Sequence, residues 1–249
     1  MSTDSPQTKD TETPSYRGNA IAAGVMFIAC TAAAILYIVP LGGPLTASVD
    51  FAKLAANENG VVLAALIEFV WAATGAGIAI ALFPVLRRHS RALALGSVAA
   101  RAAEGVLVLV GTLGLLVLFS LSKEAVAAGS AVLPSADTLA NLLVAGREWL
   151  HGLVGPLAFA LGALLYYIVL FKSKLVPRWL SGWGIVAIAL NLFSTLYGAF
   201  AQDFGLSSVS TAINIPILLQ EMVLAIWLIA KGFDRMALAS VAATEEGAA

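Results

Sequence analysis

The stretch ALALGSVAARAAEGVLVLVGTLGLLVLFSL, residues 92–121, decides the fold class. Only two of its residues, Arg101 and Glu104, carry a charge. A helix needs about 20 mostly apolar residues to cross a hydrocarbon layer about 30 Å thick. The stretch therefore predicts a helix that spans a membrane.

Five other stretches have the same character. Of the 249 residues, 60% are hydrophobic and 12% are charged, whereas soluble domains average about 25% charged. We therefore predict an all-α polytopic membrane protein, a bundle of six transmembrane helices in one domain at residues 18–233, with disordered tails at 1–17 and 234–249. The predicted spans are about 20–41, 61–86, 92–121, 139–171, 179–200 and 211–230.

The lysines and arginines between the spans are distributed very unequally. Ten lie on one side of the predicted membrane and only two, Lys53 and Lys123, on the other. Because retained positive charge marks the cytoplasmic side, both termini are expected in the cytoplasm. The ten are Lys9, Arg17, Arg87, Arg88, Arg91, Lys172, Lys174, Arg178, Lys231 and Arg235.

Seven ionisable residues lie inside the predicted spans, where a charge costs about 2.5–3.5 kcal/mol on insertion scales. Arg101 and Glu221 are each ten residues from a basic residue at a span end. At 1.5 Å per residue, both lie roughly 15 Å deep, near the midplane, with Glu104 one turn further. The other four are expected near the outer surface, roughly 28–37 Å from the basic side if their helices are straight.

The midplane residues form the candidate ligand or proton site. One arginine faces two carboxylates there, and close carboxylates tend to share a proton. Intramembrane charges are functional by default, although buried Arg–Glu pairs also serve only to pack helices. With the polar residues at similar depth, the candidate set is Arg101, Glu104, Glu221, Gln220, Asn191 and Thr74.

The four remaining residues, Glu68, Arg147, Glu148 and His151, form a predicted outer-face cluster. Glu148 and His151 are three residues apart and Arg147 and His151 are four apart, so each pair shares a helical face. Side chains at this depth can reach the lipid headgroups, which lowers the cost of their charge. A structural role is therefore favoured for this cluster.

Several chemistries have no support in the sequence. It has no glycine-rich phosphate loop, paired-histidine zinc motif or nucleophile elbow. A net charge of −1 and a single cysteine, Cys30, argue against nucleic-acid binding and disulfides. We predict no cofactor, no metal and no catalytic residue, with the lipid bilayer and a small molecule or proton as partners.

The chain also resembles the bacterial domain-of-unknown-function-4386 family of multi-pass membrane proteins. The resemblance covers about residues 17–233 and implies a six-helix protein of the bacterial inner membrane without implying an activity. It rests on FPVLRRH (83–89), ALG (94–96) with Arg101 and Glu104, AGREW (145–149), LVPRWLSGWG (175–184) and LQEMVLAIWLIAKGF (219–233).

Three functions follow as hypotheses. The leading one is a small-molecule or proton-coupled transporter or sensor that uses Arg101, Glu104 and Glu221. The first alternative is a non-catalytic membrane scaffold or partner subunit whose charges only hold its helices together. The second is an intramembrane lipid-modifying enzyme with Glu104 and Glu221 as acid and base.

Overall fold

The computed structural model describes residues 16–41, 49–129, 133–201, 204 and 208–239. Within these ranges the chain is almost entirely helical and contains no strand. The helices are α1 Arg17–Leu36, α2 Phe51–Ala56, α3 Glu58–Leu86, α4 Arg91–Ala128, α5 Leu133–Trp149, α6 Gly155–Ser173, α7 Arg178–Ala201 and α8 Ser208–Ala230. Two π-helical segments, Tyr37–Leu41 and Leu150–Val154, extend α1 and join α5 to α6.

In the described part of the chain, six helical segments are long and apolar enough to cross a membrane. Five of them correspond to α1, α3, α4, α7 and α8, and the sixth combines α5, the second π-helical segment and α6. The prediction of an all-α protein with six transmembrane helices is confirmed.

The spanning helices form a closed ring. Around it, α1 packs against α3, α3 against α4, α4 against α6, α6 against α7, α7 against α8, and α8 against α1. Each helix therefore turns one face toward the interior of the bundle and leaves another outside. Large apolar side chains such as Leu113 and Ile226 are about 60% exposed on the outside, as lipid contact requires.

Contacts at one end of the bundle bring together the connections that carry most of the basic residues. Arg17 at the start of α1 donates to the Leu228 and Ala230 carbonyls of α8, each at 3.3 Å. Asn19 donates to the Ala81 carbonyl of α3 at 3.0 Å. We call this end the basic end. At the opposite end, Lys123 pairs with Glu58 at 3.0 Å.

The ends of the domain differ in detail from the sequence prediction. Arg17, assigned to the leading tail, already belongs to α1, and residues 235–239 of the predicted closing tail form a helical turn. Residues 1–15 and 240–249 of the two predicted tails lie outside the described residues. The short helix α2 was not predicted; Asp50 caps it by accepting a hydrogen bond from the Lys53 backbone N–H at 3.1 Å.

Candidate functional site

Arg101 is almost fully buried, with 1% of its surface exposed, inside the ring of helices. Its Nη1 lies 2.5 Å from Oε2 of Glu104, one turn further along α4. The i,i+3 spacing places both side chains on one face of the helix. The two residues therefore form a buried ion pair within α4.

Neighbouring helices hold the Arg101 side chain in place. Its Nε donates a hydrogen bond to the Gly75 carbonyl of α3 at 3.1 Å. Its guanidinium carbon lies 4.9 Å from the centre of the Phe159 ring of α6, a cation–π contact. The arginine thus connects three helices of the ring.

Two glycines make room for this arginine. A Cβ atom on Gly162 would lie 2.8 Å from Arg101 Cγ, and one on Gly75 would lie 3.1 Å from Arg101 Nη2. Both positions face the arginine directly, so a side chain on either helix would compete with it for space. The absence of a side chain at both positions is what lets a long charged residue fit between α3 and α6.

Glu221 of α8 faces the same interior. Its carboxyl interacts electrostatically with Arg101 and Glu104, and Thr31 of α1 is its hydrogen-bonding neighbour. Its Oε1 atom is nonetheless buried without a hydrogen-bond partner among the described residues. Glu221 forms no ion pair with Arg101, whose nearest carboxylate is that of Glu104.

We call Arg101, Glu104 and Glu221 the Arg101 cluster. Cys30 of α1 and the fully buried Tyr166 of α6 interact electrostatically with it and line its sides. The cluster lies roughly 15 Å from the basic end, counted along α4 and α8. It contains one guanidinium group and two carboxyl groups. Because Arg101 pairs with Glu104, the Glu221 carboxyl has no positively charged partner of its own.

The other three candidates of the midplane set make separate contacts. Gln220 accepts from the Tyr167 hydroxyl at 2.5 Å and donates to the Leu180 carbonyl at 3.1 Å, linking α6, α7 and α8. Asn191 donates to Asn214 Oδ1 at 2.8 Å between α7 and α8. Thr74 donates to carbonyls of its own helix, at 2.6 Å to Val70.

A second group of charges lies nearer the other end of the bundle. Arg147 Nη2 and His151 Nε2 each lie 3.1 Å from Glu68 Oε1. Arg147 also donates to the Gly111 carbonyl and to the Tyr37 hydroxyl. We call Glu68, Arg147, His151 and Tyr37 the Arg147 cluster; it lies roughly 30 Å from the basic end, counted along α1 and α3.

The surroundings of the Arg147 cluster differ from the sequence prediction. Glu68 is completely buried and Arg147 is 5% exposed, so both face the protein interior and do not extend toward headgroups. Glu148 is exposed and does not join them. Consecutive helical residues point about 100° apart, which separates Glu148 from Arg147 although they are adjacent in sequence.

The family model described as "Domain of unknown function (DUF4386)" matches residues 22–232. The chain belongs to this family. The matched range of this DUF4386 protein includes every residue of both clusters. No curated protein and no solved structure matched the chain in the corresponding comparisons.

The sequence of this DUF4386 protein did not predict which aromatic and hydroxyl side chains surround the two charged clusters. Tyr37, Trp71 and His151 form an aromatic group with ring centres 6.0 to 6.4 Å apart, and Thr31 and Tyr166 lie beside the Arg101 cluster. Aromatic and hydroxyl residues are common in apolar spans and give no pattern of their own. Within the described ranges, no group of three or more His, Cys, Asp or Glu side chains is placed to hold a metal ion.

Proposed function

We propose that this DUF4386 protein is a proton-coupled transporter or sensor, with Glu221 taking up and releasing the proton beside Arg101 and Glu104. The observation that carries the proposal is the buried Oε1 atom of Glu221, which has no hydrogen-bond partner among the described residues. A buried carboxyl oxygen left without a donor is costly, so its presence needs a reason. Binding a proton or a cationic group at this oxygen supplies one.

The charges around Glu221 support the same proposal. Arg101 is already paired with Glu104 at 2.5 Å, so its positive charge does not fully compensate a second carboxylate. The other titratable neighbours, Cys30, Tyr166 and Tyr167, bring no positive charge. The site therefore favours a proton or a small cation over an anion.

Its position in the bundle also fits transport or sensing. The carboxyl lies roughly 15 Å from the basic end, near the middle of a hydrocarbon layer about 30 Å thick. Transporters commonly place coupling-ion sites at this depth, between helices that can move against each other. We further propose that the basic end faces the cytoplasm of a bacterial cell, which places the protein in the inner membrane.

In this proposal the two clusters form a buried charge network with separate roles. The Arg147 cluster pairs Glu68 with Arg147 and His151, and fixes α3 against the fourth span. The Arg101 cluster retains the carboxyl that exchanges a proton.

Infrared difference spectroscopy of the full-length protein in lipid vesicles tests the proposal. Exchange between acidic and alkaline buffers should produce a carboxyl band that Glu221→Gln removes. The exposed Glu124 offers a matched control, and Glu124→Gln should leave the band unchanged. The proposal fails if the band persists in Glu221→Gln or if the wild-type protein shows no carboxyl band.

Proton flux separates the two forms of the proposal. Vesicles that contain the protein and a trapped pH-sensitive dye should follow an external pH change faster than empty vesicles if the protein is a transporter. The infrared band without any additional flux indicates a sensor. Glu221→Gln should abolish the additional flux while Glu124→Gln preserves it.

A further inference from the structure

A groove of about 620 Å³ lies at the basic end, between the α6–α7 connection and the end of α8. Four basic residues line it, namely Lys174, Arg178, Lys231 and Arg235, together with the single acid Asp234. We propose that this groove binds the phosphate headgroup of an anionic phospholipid. The inference is independent of the function proposed for Glu221.

The cations of the groove have no carboxylate within ion-pair distance in the described part of the chain. The carboxylate of Asp234 is engaged elsewhere, because its Oδ1 accepts a hydrogen bond from the Ala237 backbone N–H at 2.9 Å. Four positive side chains therefore face one recess without compensation from these neighbours. Phosphate oxygens are the acceptors that arginine and lysine most often bind in such recesses.

The two walls of the groove are packed into the protein and joined to each other. Leu175, Val176 and Phe233 are buried, and the Asp234 backbone N–H donates to the Leu175 carbonyl at 2.9 Å, which ties the two walls together. Lys231 Nζ lies 4.5 Å from the centre of the Trp227 ring and the Arg178 guanidinium lies 5.5 Å from that of Phe171. These contacts orient two of the cations before a ligand arrives.

Exposed apolar side chains lie beside residues of the groove, which favours a lipid over a free phosphate ion. Trp179 and Phe171, on either side of the α6–α7 connection, are 57% and 37% exposed. Ile226 of α8, which precedes the groove residue Trp227 in the chain, is 62% exposed. A phospholipid can place its phosphate among the cations while its acyl chains lie along these apolar side chains.

Native mass spectrometry of the full-length protein with equal amounts of phosphatidylglycerol and phosphatidylcholine tests the proposal. The wild-type protein should retain phosphatidylglycerol preferentially, and Arg178→Gln/Arg235→Gln should lower its occupancy roughly tenfold. Lys172→Gln is the matched control, since Lys172 carries the same charge at the same end but does not line the groove. It should change the occupancy less than twofold.

Three outcomes contradict the proposal: equal retention of both lipids, an equal effect of Lys172→Gln, or displacement of phosphatidylglycerol by an equal concentration of inorganic phosphate. If the double variant does not fold, Arg235→Gln alone replaces it. Arg235 is exposed and follows the last span, so its loss leaves the packing of the spans intact. Its occupancy of phosphatidylglycerol should still fall roughly threefold.

Discussion

The Arg101 and Arg147 clusters use the same residue types at two depths of one bundle, yet they balance their charges differently. In each, an arginine lies between glycine-bearing helices and pairs with a buried glutamate. The Arg147 cluster adds a histidine and a tyrosine to one glutamate, whereas the Arg101 cluster adds a second carboxyl, that of Glu221, which forms no ion pair with the arginine. A buried arginine alone therefore does not tell whether a cluster stabilises helix packing or binds a ligand. The number of carboxyl groups around the arginine separates the two cases.

The largest effect is expected from breaking the Arg147 cluster. Arg147→Met leaves Glu68 buried without its cation, and we expect the free energy of unfolding to fall by about 3–5 kcal/mol. Reversible unfolding of the full-length protein in detergent micelles measures this loss. Lys123→Gln, which breaks an exposed ion pair with Glu58, should cost no more than about 1 kcal/mol. Similar losses in both variants would show that the Arg147 cluster contributes no more than a surface pair.

A smaller effect is expected where Arg101 passes between its glycines. Gly162→Ala places a methyl group 2.8 Å from Arg101 Cγ, and overpacking of this kind costs about 1–3 kcal/mol. Gly146 is the control because a Cβ there meets nothing within 4 Å. Gly146→Ala should be neutral or stabilising by up to about 1 kcal/mol in the same unfolding experiment. If Gly162→Ala does not lower the free energy of unfolding either, Arg101 does not need a glycine at position 162 to fit between the helices.

The hydrogen bond between Tyr167 and Gln220, which lies beside the Arg101 cluster without belonging to it, should matter least. Tyr167→Phe leaves Gln220 Oε1 without its donor, and we expect a loss of about 0.6–2 kcal/mol. Tyr197, which is 48% exposed, provides the control, and Tyr197→Phe should leave the unfolding free energy unchanged. The infrared carboxyl band should persist in Tyr167→Phe, since the Tyr167 hydroxyl bonds to Gln220. Loss of the band in this variant would instead join Tyr167 to the Arg101 cluster.

The parts of the fold that depend on hydropathy could be predicted from the sequence. Long apolar stretches such as residues 92–121 predicted the six spans because their length matches the hydrocarbon layer. The helix α2 was missed, since six residues inside a connection carry too little periodicity to be recognised. The π-helical segment Leu150–Val154 was also missed, because its backbone pattern has no consistent sequence signature.

For the candidate site, the sequence could predict only contacts between residues of the same helix. The spacing of Arg101 and Glu104, three residues apart in the sequence, places them on one helical face, where they pair. Contacts between helices depend on helix rotation, which a depth count does not give, so Asn191 was grouped with Arg101 although it pairs with Asn214. Two glycines also mark the positions of the arginines. The Gly75 carbonyl accepts a hydrogen bond from Arg101, and the Gly111 carbonyl accepts one from Arg147.

One matched pair of variants, Glu68→Gln and Glu221→Gln, tests most directly whether the two clusters have different roles. Each removes the charge of one glutamate inside the ring of helices, and the unfolding free energy of each is compared with that of the wild-type protein in detergent micelles. Glu68→Gln should lose about 3 kcal/mol because Arg147 loses its counter-charge, whereas Glu221→Gln should lose less than about 1 kcal/mol because Glu221 has no ion pair with Arg101 to lose. Equal losses would contradict this account and assign Glu221 the same structural role as Glu68.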